Sequence, residues 1–106
     1  MNFVLLRSNI FIRNARKIVK KKPFLAQNIR ETLDLLSVDP FQPRLRTHQL
    51  KGELKDSYAC SVGYDLRIVF KFVGSSRLCV IIFAYRIVKY LLGKTFRSIL
   101  LKKLSV

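Results

Sequence analysis

Acidic residues are scarce in this chain. Six Asp and Glu stand against 21 Lys and Arg, a formal net charge of +15 over 106 residues. Solubility of a small domain needs a net charge of only about 2 to 8. The excess therefore speaks to partners: a phosphate polymer first, then an acidic protein or an anionic surface. Histidine occurs once, as His48, and cysteine twice, as Cys60 and Cys79. With no C-x-x-C spacing and a single imidazole, a zinc site of ordinary composition is excluded. Nothing in the sequence calls for another cofactor. The thiols read as buried residues of a reducing compartment, with a disulfide between them as the alternative. No window comes near the roughly 18 uninterrupted apolar residues of a membrane span. The short apolar run from Phe3 to Leu6 lacks the basic flank, long apolar core and small-residue cleavage site of a secretory signal. Stable membrane insertion is not expected, and a cytoplasmic location is. No repeat or low-complexity linker divides the chain.

Half of the residues are hydrophobic, enough for one core in a chain of this length. Phe3 to Arg7 reads as a strand, with Ser8 or Asn9 as the N-cap of a helix. Phe11, Ala15, Ile18, Val19 and Lys22 follow at helical spacing, with Arg13, Arg16, Lys17, Lys20 and Lys21 on the other faces. Pro23 ends that helix or opens the next. Leu25, Ile29, Leu33 and Leu36 make a second apolar stripe, read as core rather than chemistry. Two prolines then break the helix, Arg44 to Leu50 reads as extended, and Gly52 marks a turn. Alternation sets Tyr58, Cys60 and Val62 on one strand face. It sets Leu66, Ile68, Phe70 and Phe72 against Arg67, Val69 and Lys71 on the next strand. Gly74-Ser75-Ser76 is a hairpin turn, and Leu78 to Tyr85 a central strand. The expected class is α+β: an N-terminal strand and a helical hairpin packed on a small antiparallel sheet over residues 1–85. Residues 86–106 hold no acidic side chain and read as a basic amphipathic helix. It would dock on its own domain, on a partner or on a membrane surface.

Metal-free cleavage of RNA needs a base for the 2′-hydroxyl proton, cations for the pentavalent phosphate and an acid for the leaving 5′-oxygen. Histidine titrates in the range that suits base or acid work, which makes His48 the first candidate. Arg67, on the strand face opposite Leu66 and Ile68, offers a planar fork that suits phosphate. Asp65 shares its face and could orient His48 or move a proton. Arg44, Arg46, Lys51 and Lys71 could follow an RNA backbone, and Tyr58 and Tyr64 could stack a base. Each has a plainer reading: His48 as a surface residue, Asp65 and Arg67 as a mutual pair, Tyr58 as core in phase with Cys60.

At these residues the chain resembles the RelE/ParE toxin superfamily, and its YafQ-like branch most. The matching text is Phe11-Ile12-Arg13 to Lys22-Pro23, Asp39-Pro40-Phe41, His48-x-Leu50-x-Gly52-x-Leu54, Tyr58, and Tyr64-Asp65-Leu66-Arg67-Ile68-Val69-Phe70. It covers roughly residues 1 to 83. The resemblance implies the toxin of a type II toxin–antitoxin pair. Such a toxin enters the ribosomal A site, cuts mRNA there and is silenced by a small acidic antitoxin. It also implies that His48 is catalytic, that Asp65 is its acidic partner and that Arg67 contacts phosphate. Ser61 stands where the YafQ-like branch can carry a further histidine. After Phe83 the family's Gly-Thr-His or Gly-Ser-His and terminal aromatic are replaced by Ala84-Tyr85-Arg86-Ile87, so the catalytic set is incomplete. A frameshifted or diverged 3′ end would account for the break. Two other readings stay open. One is an inactive homologue that binds antitoxin or RNA. The other is a ParE-like gyrase inhibitor, against which the His48 segment argues.

Overall fold

Ser8 ends the first strand and starts the first helix. Its hydroxyl accepts from the Phe11 amide at 3.0 Å and donates to the Ile81 carbonyl, so one side chain caps the helix and ties it to a distant strand. The computed structural model describes residues 2–63 and 66–85. Tyr64, Asp65 and the expected basic helix of 86–106 lie outside the described residues. The elements are β1 (Val4–Arg7), α1 (Asn9–Lys21), α2 (Leu25–Val38), β2 (His48–Gln49), β3 (Ser57–Gly63), β4 (Leu66–Gly74) and β5 (Arg77–Tyr85). Short 3-10 turns at Pro43–Leu45 and Gly52–Leu54 flank β2. No helix among the described residues is long and apolar enough to cross a membrane.

The two helices follow the stripes read from the sequence. Phe11 and Ile18 of α1, and Leu25, Ile29, Thr32 and Leu36 of α2, are buried. Lys20 and Lys21 close α1, where cations suit the negative end of the helix dipole. Both helices lie against one face of a five-stranded sheet of order β1-β5-β4-β3-β2. From β2 to β5 the sheet is antiparallel, whereas β1 pairs in parallel with β5. The sheet is therefore mixed rather than wholly antiparallel. The helical hairpin carries the chain from β1 across to the far edge of the sheet, and the meander β2 to β5 brings it back alongside β1.

The helix side of the sheet holds the main core, with Cys60, Ile68, Phe70, Leu78 and Val80 fully buried. Phe11 stacks on Phe83 with centroids 4.4 Å apart. Tyr58, Phe70, Phe72 and Phe41 form a chain of stacked and edge-on rings 5.5 to 6.0 Å apart. Full burial of such a ring stabilises a fold by about 1.5–3 kcal/mol; Phe70 is fully buried, whereas Phe41 is 55% exposed at the end of the chain of rings. On the opposite face a smaller cluster of Ala59, Val69 and Ile81 is covered by Leu50 and Leu54. The 50–56 segment folds back there because Gly52 takes φ +70, Lys55 N–H bonds to the Gly52 carbonyl, and Leu50 N–H bonds to the Ser57 carbonyl. Cys60 and Cys79 point to opposite faces of the sheet and both are free thiols, which removes the disulfide alternative.

Candidate functional site

Extended structure between Arg44 and Leu50 is confined to His48–Gln49. Pro43 opens a 3-10 turn, and Arg46 ends it at φ 49, ψ 41, in the left-handed region. A β-carbon makes that conformation costly, by roughly 1–2 kcal/mol. The reversal is held by Arg46 N–H to the Pro43 carbonyl at 3.2 Å and by the Thr47 hydroxyl donating to the Pro40 carbonyl. Its effect is to turn the chain into β2 and set His48 on the sheet edge. His48 pairs with Ala59, so its exposed side chain stands on the face away from the helices. Its Nδ1 lies 3.3 Å from the Arg46 carbonyl. With Nδ1–H donated there, Nε2 is the basic nitrogen that faces solvent.

Arg67 occupies the same sheet face. It pairs with Ser61 across β3 and β4, and its guanidinium donates to the Ser61 hydroxyl at 2.8 Å. That bond uses one of the five guanidinium donors. Two strand spacings and two residues of rise separate the backbones of His48 and Arg67, roughly 12 Å. Two long side chains on one face can meet a single phosphodiester across that gap.

β2 covers β3 only at Tyr58 and Ala59. Beyond Ala59 the β3 edge is open, and a cleft of about 460 Å³ forms between it, α2 and the 43–46 turn. Arg44, Arg46 and Arg67 line this cleft together with Ser61 and Gly63. The α2 wall adds Asn28, Glu31 and Thr32. Gly63 sits at φ +129, and a β-carbon there would come 3.4 Å from Asn28 Nδ2. Glycine therefore serves the bend, since φ +129 is a conformation that other residues rarely adopt.

The sequence-predicted residues divide into groups. His48, Arg67 and Lys71 share the outer sheet face, Lys71 opposite Ser57 and Cys79. Arg44 and Arg46 join Arg67 at the cleft, and Lys51 is exposed just past β2. Tyr58 is on the other side of the sheet, packed among Phe41, Phe70 and Phe72, as its phase with Cys60 allowed. It is not brought together with His48 and Arg67. Asp65 and Tyr64 are outside the described residues. Asn28 and Thr32 were not singled out from the sequence, and Glu31 read only as an outward residue of α2. The available signal was polar: Asn28 and Thr32 fall at i and i+4 beside the apolar stripe, and Thr32 is buried.

At sequence level no family model and no curated protein matches this chain. Solved structures do match. The YoeB/ParE toxin of Agrobacterium tumefaciens superposes with a TM-score of 0.69 at 18% identity, over 78% of this chain and 98% of that one. The fold is that of the RelE/ParE toxins. YafQ, in the E. coli DinJ–YafQ toxin–antitoxin complex, gives 0.66 at 14% identity over 85% and 99%. The archaeal RelE–RelB complex from Pyrococcus horikoshii gives 0.63 at 16% over 81% and 97%. The RelE/ParE fold thus spans nearly the full length of those chains and most of this one.

Proposed function

We propose that this chain is the toxin of a type II toxin–antitoxin pair and that it cleaves mRNA by metal-free acid–base chemistry. The observation that carries the reading is the convergence of Arg44, Arg46 and Arg67 on one open cleft, at the edge of the sheet face that bears the only histidine. The fold shared with YoeB, YafQ and RelE toxins supports it. His48 Nε2 takes the proton of a ribose 2′-hydroxyl. The 2′-oxygen attacks the adjacent phosphorus, and the bond to the 5′-oxygen breaks. The products are a 2′,3′-cyclic phosphate and a 5′-hydroxyl. Arg67 and Arg46 neutralise the charge that builds on the phosphoryl oxygens, where preorganised donors contribute most. Asp65, two residues before Arg67, orients His48 or, in its carboxylic acid form, donates the proton that the leaving 5′-oxygen needs; where Asp65 only orients, water supplies that proton.

No histidine follows Phe83, so protonation of the leaving group has fewer donors than in the complete family set. A turnover lower than that of a complete set follows, since members of an acid–base set act as a unit. An inactive, RNA-binding or antitoxin-binding module is the second reading, favoured by the same missing histidine and by the Arg67–Ser61 bond, which occupies part of the cation. The partners under the first reading are the ribosome with its mRNA and a small acidic antitoxin that matches the +15 charge. Induced expression should arrest growth, and His48→Ala should relieve the arrest at equal protein level. Arrest that persists undiminished in His48→Ala would remove His48 from the mechanism.

A further inference from the structure

A serine faces one of the cleft's cations. Ser61 and Arg67 form the last regular pair of β3 and β4 before the register shifts between Ser61 and Gly63. Such a bulge bends a strand and re-aims its side chains. Both residues are half-buried and both line the cleft. Arg67 donates from Nη1 to the Ser61 hydroxyl at 2.8 Å. A bond of this kind either masks a cation or places it, and three features of this one favour placing. The hydroxyl is neutral, so the guanidinium keeps the full charge that a paired carboxylate would offset. The donor is Nη1, so the Nε–H and Nη2–H edge, a fork that grips phosphate in two places, stays free. A hydrogen bond to a charged group is also comparable in strength with the rotamer freedom that a loose arginine loses on binding. The Ser61 bond takes that loss before any substrate arrives.

We infer that Ser61 is a positioning residue for Arg67: it holds the guanidinium in the rotamer whose free edge meets the scissile phosphate. The inference rests on the RNA-cleavage reading above and gives Ser61 no contact with the reacting atoms. Donors stabilise a transition state most when they need no rearrangement as charge builds. A misplacement of about 1 Å in such a group can cost 10²-fold in rate. Alanine at position 61 keeps the strand but cannot accept from Nη1. Threonine keeps the hydroxyl and suits a strand. The sign of the effect separates the two roles of the bond. Loss of a positioning partner slows cleavage, whereas loss of a masking partner speeds it.

The test is a double-mutant cycle on the full chain, read as single-turnover cleavage of mRNA on programmed ribosomes. Ser61→Ala should slow cleavage roughly five- to thirtyfold, within the range of one lost hydrogen bond to a charged group. Ser61→Thr should stay within about threefold of the wild type. In an Arg67→Ala background, Ser61→Ala should change the rate by less than about twofold, because a residue that acts through Arg67 has nothing left to place. A rate that is unchanged or raised in Ser61→Ala would overturn the inference. So would an equal loss with and without Arg67, which marks a merely structural role. Either result leaves the cleavage reading in place. A wild type that binds RNA without cutting it would overturn the cleavage reading instead. The same cycle is then read as affinity for a labelled 2′-O-methyl RNA hexamer, where Ser61→Ala should weaken binding only when Arg67 is present, and an effect independent of Arg67 would overturn the placing role. A wild type that neither cuts nor binds RNA would overturn both. Circular dichroism melts of the variants separate loss of rate from loss of fold.

Discussion

At the scale of single residues, the account turns on Arg67 and on the two thiols as internal controls. Arg67 offers a rigid fork, whereas lysine offers a point charge. Arg67→Ala should lower cleavage by roughly 10²–10³-fold. Arg67→Lys should recover only part of it, since lysine cannot bridge Ser61 and a phosphate in one plane. Recovery to the wild-type rate in single-turnover cleavage assays would show that charge alone suffices. Burial pushes the Cys60 thiol up to about 12 from 9.0, and burial also raises that of Cys79, which is only half-buried and is partly offset by Lys71. Iodoacetamide at pH 8.5 should therefore label Cys79 first and Cys60 only on unfolding, as read by mass spectrometry. The raised folded value has a second consequence. The unfolded thiol loses its proton near pH 9 and the folded one near 12. The contribution of Cys60 to stability is thus complete below pH 9 and is lost as pH rises towards 12.

At the scale of elements, the 43–46 turn is the strained part that sets the site. Arg46 in the left-handed region is tolerable because its carbonyl, its amide and the Thr47 hydroxyl are all engaged. Arg46→Gly removes the β-carbon clash and should stabilise the fold by up to about 1 kcal/mol, measured as a higher urea midpoint at unchanged slope. The same substitution removes a cleft cation, so RNA affinity should fall while stability rises. A drop in both would mean that the Arg46 side chain supports the turn. Periodicity exposed the two helices and the three long strands, because Leu25, Ile29 and Leu36, or Leu66, Ile68 and Phe70, repeat at the spacing of their element. It could not expose β2, which is two residues long and exists through the Arg46 reversal and pairing with β3. Nor could it give the parallel placement of β1, which depends on the path of the whole helical hairpin.

At the scale of the whole molecule, charge and fold point the same way. A net charge of +15 favours both an anionic substrate and an acidic inhibitor, and the RelE/ParE fold supplies a sheet face on which a histidine and an arginine stand together. His48 and Arg67 were legible as candidates because a lone imidazole and a cation inside an apolar strand are local anomalies. The α2 wall was not, because Asn28, Glu31 and Thr32 gain meaning only once the open edge of β3 faces them. Tyr58 was misleading in type and informative in phase: an aromatic suits base stacking, but its alternation with Cys60 places it among Phe70 and Phe72. Under the proposed function, the break in the family pattern after Phe83 would bear on rate rather than on the face that β2, β3 and β4 build.

The most direct test is a primer-extension map of mRNA ends after brief induction of the wild type and of His48→Ala at matched protein levels. The account predicts discrete new 5′ ends within translated regions for the wild type and a loss of about 10²-fold or more in their intensity for His48→Ala. Ends of equal position and intensity in the variant, or no new ends from a wild-type protein that still arrests growth, would contradict it.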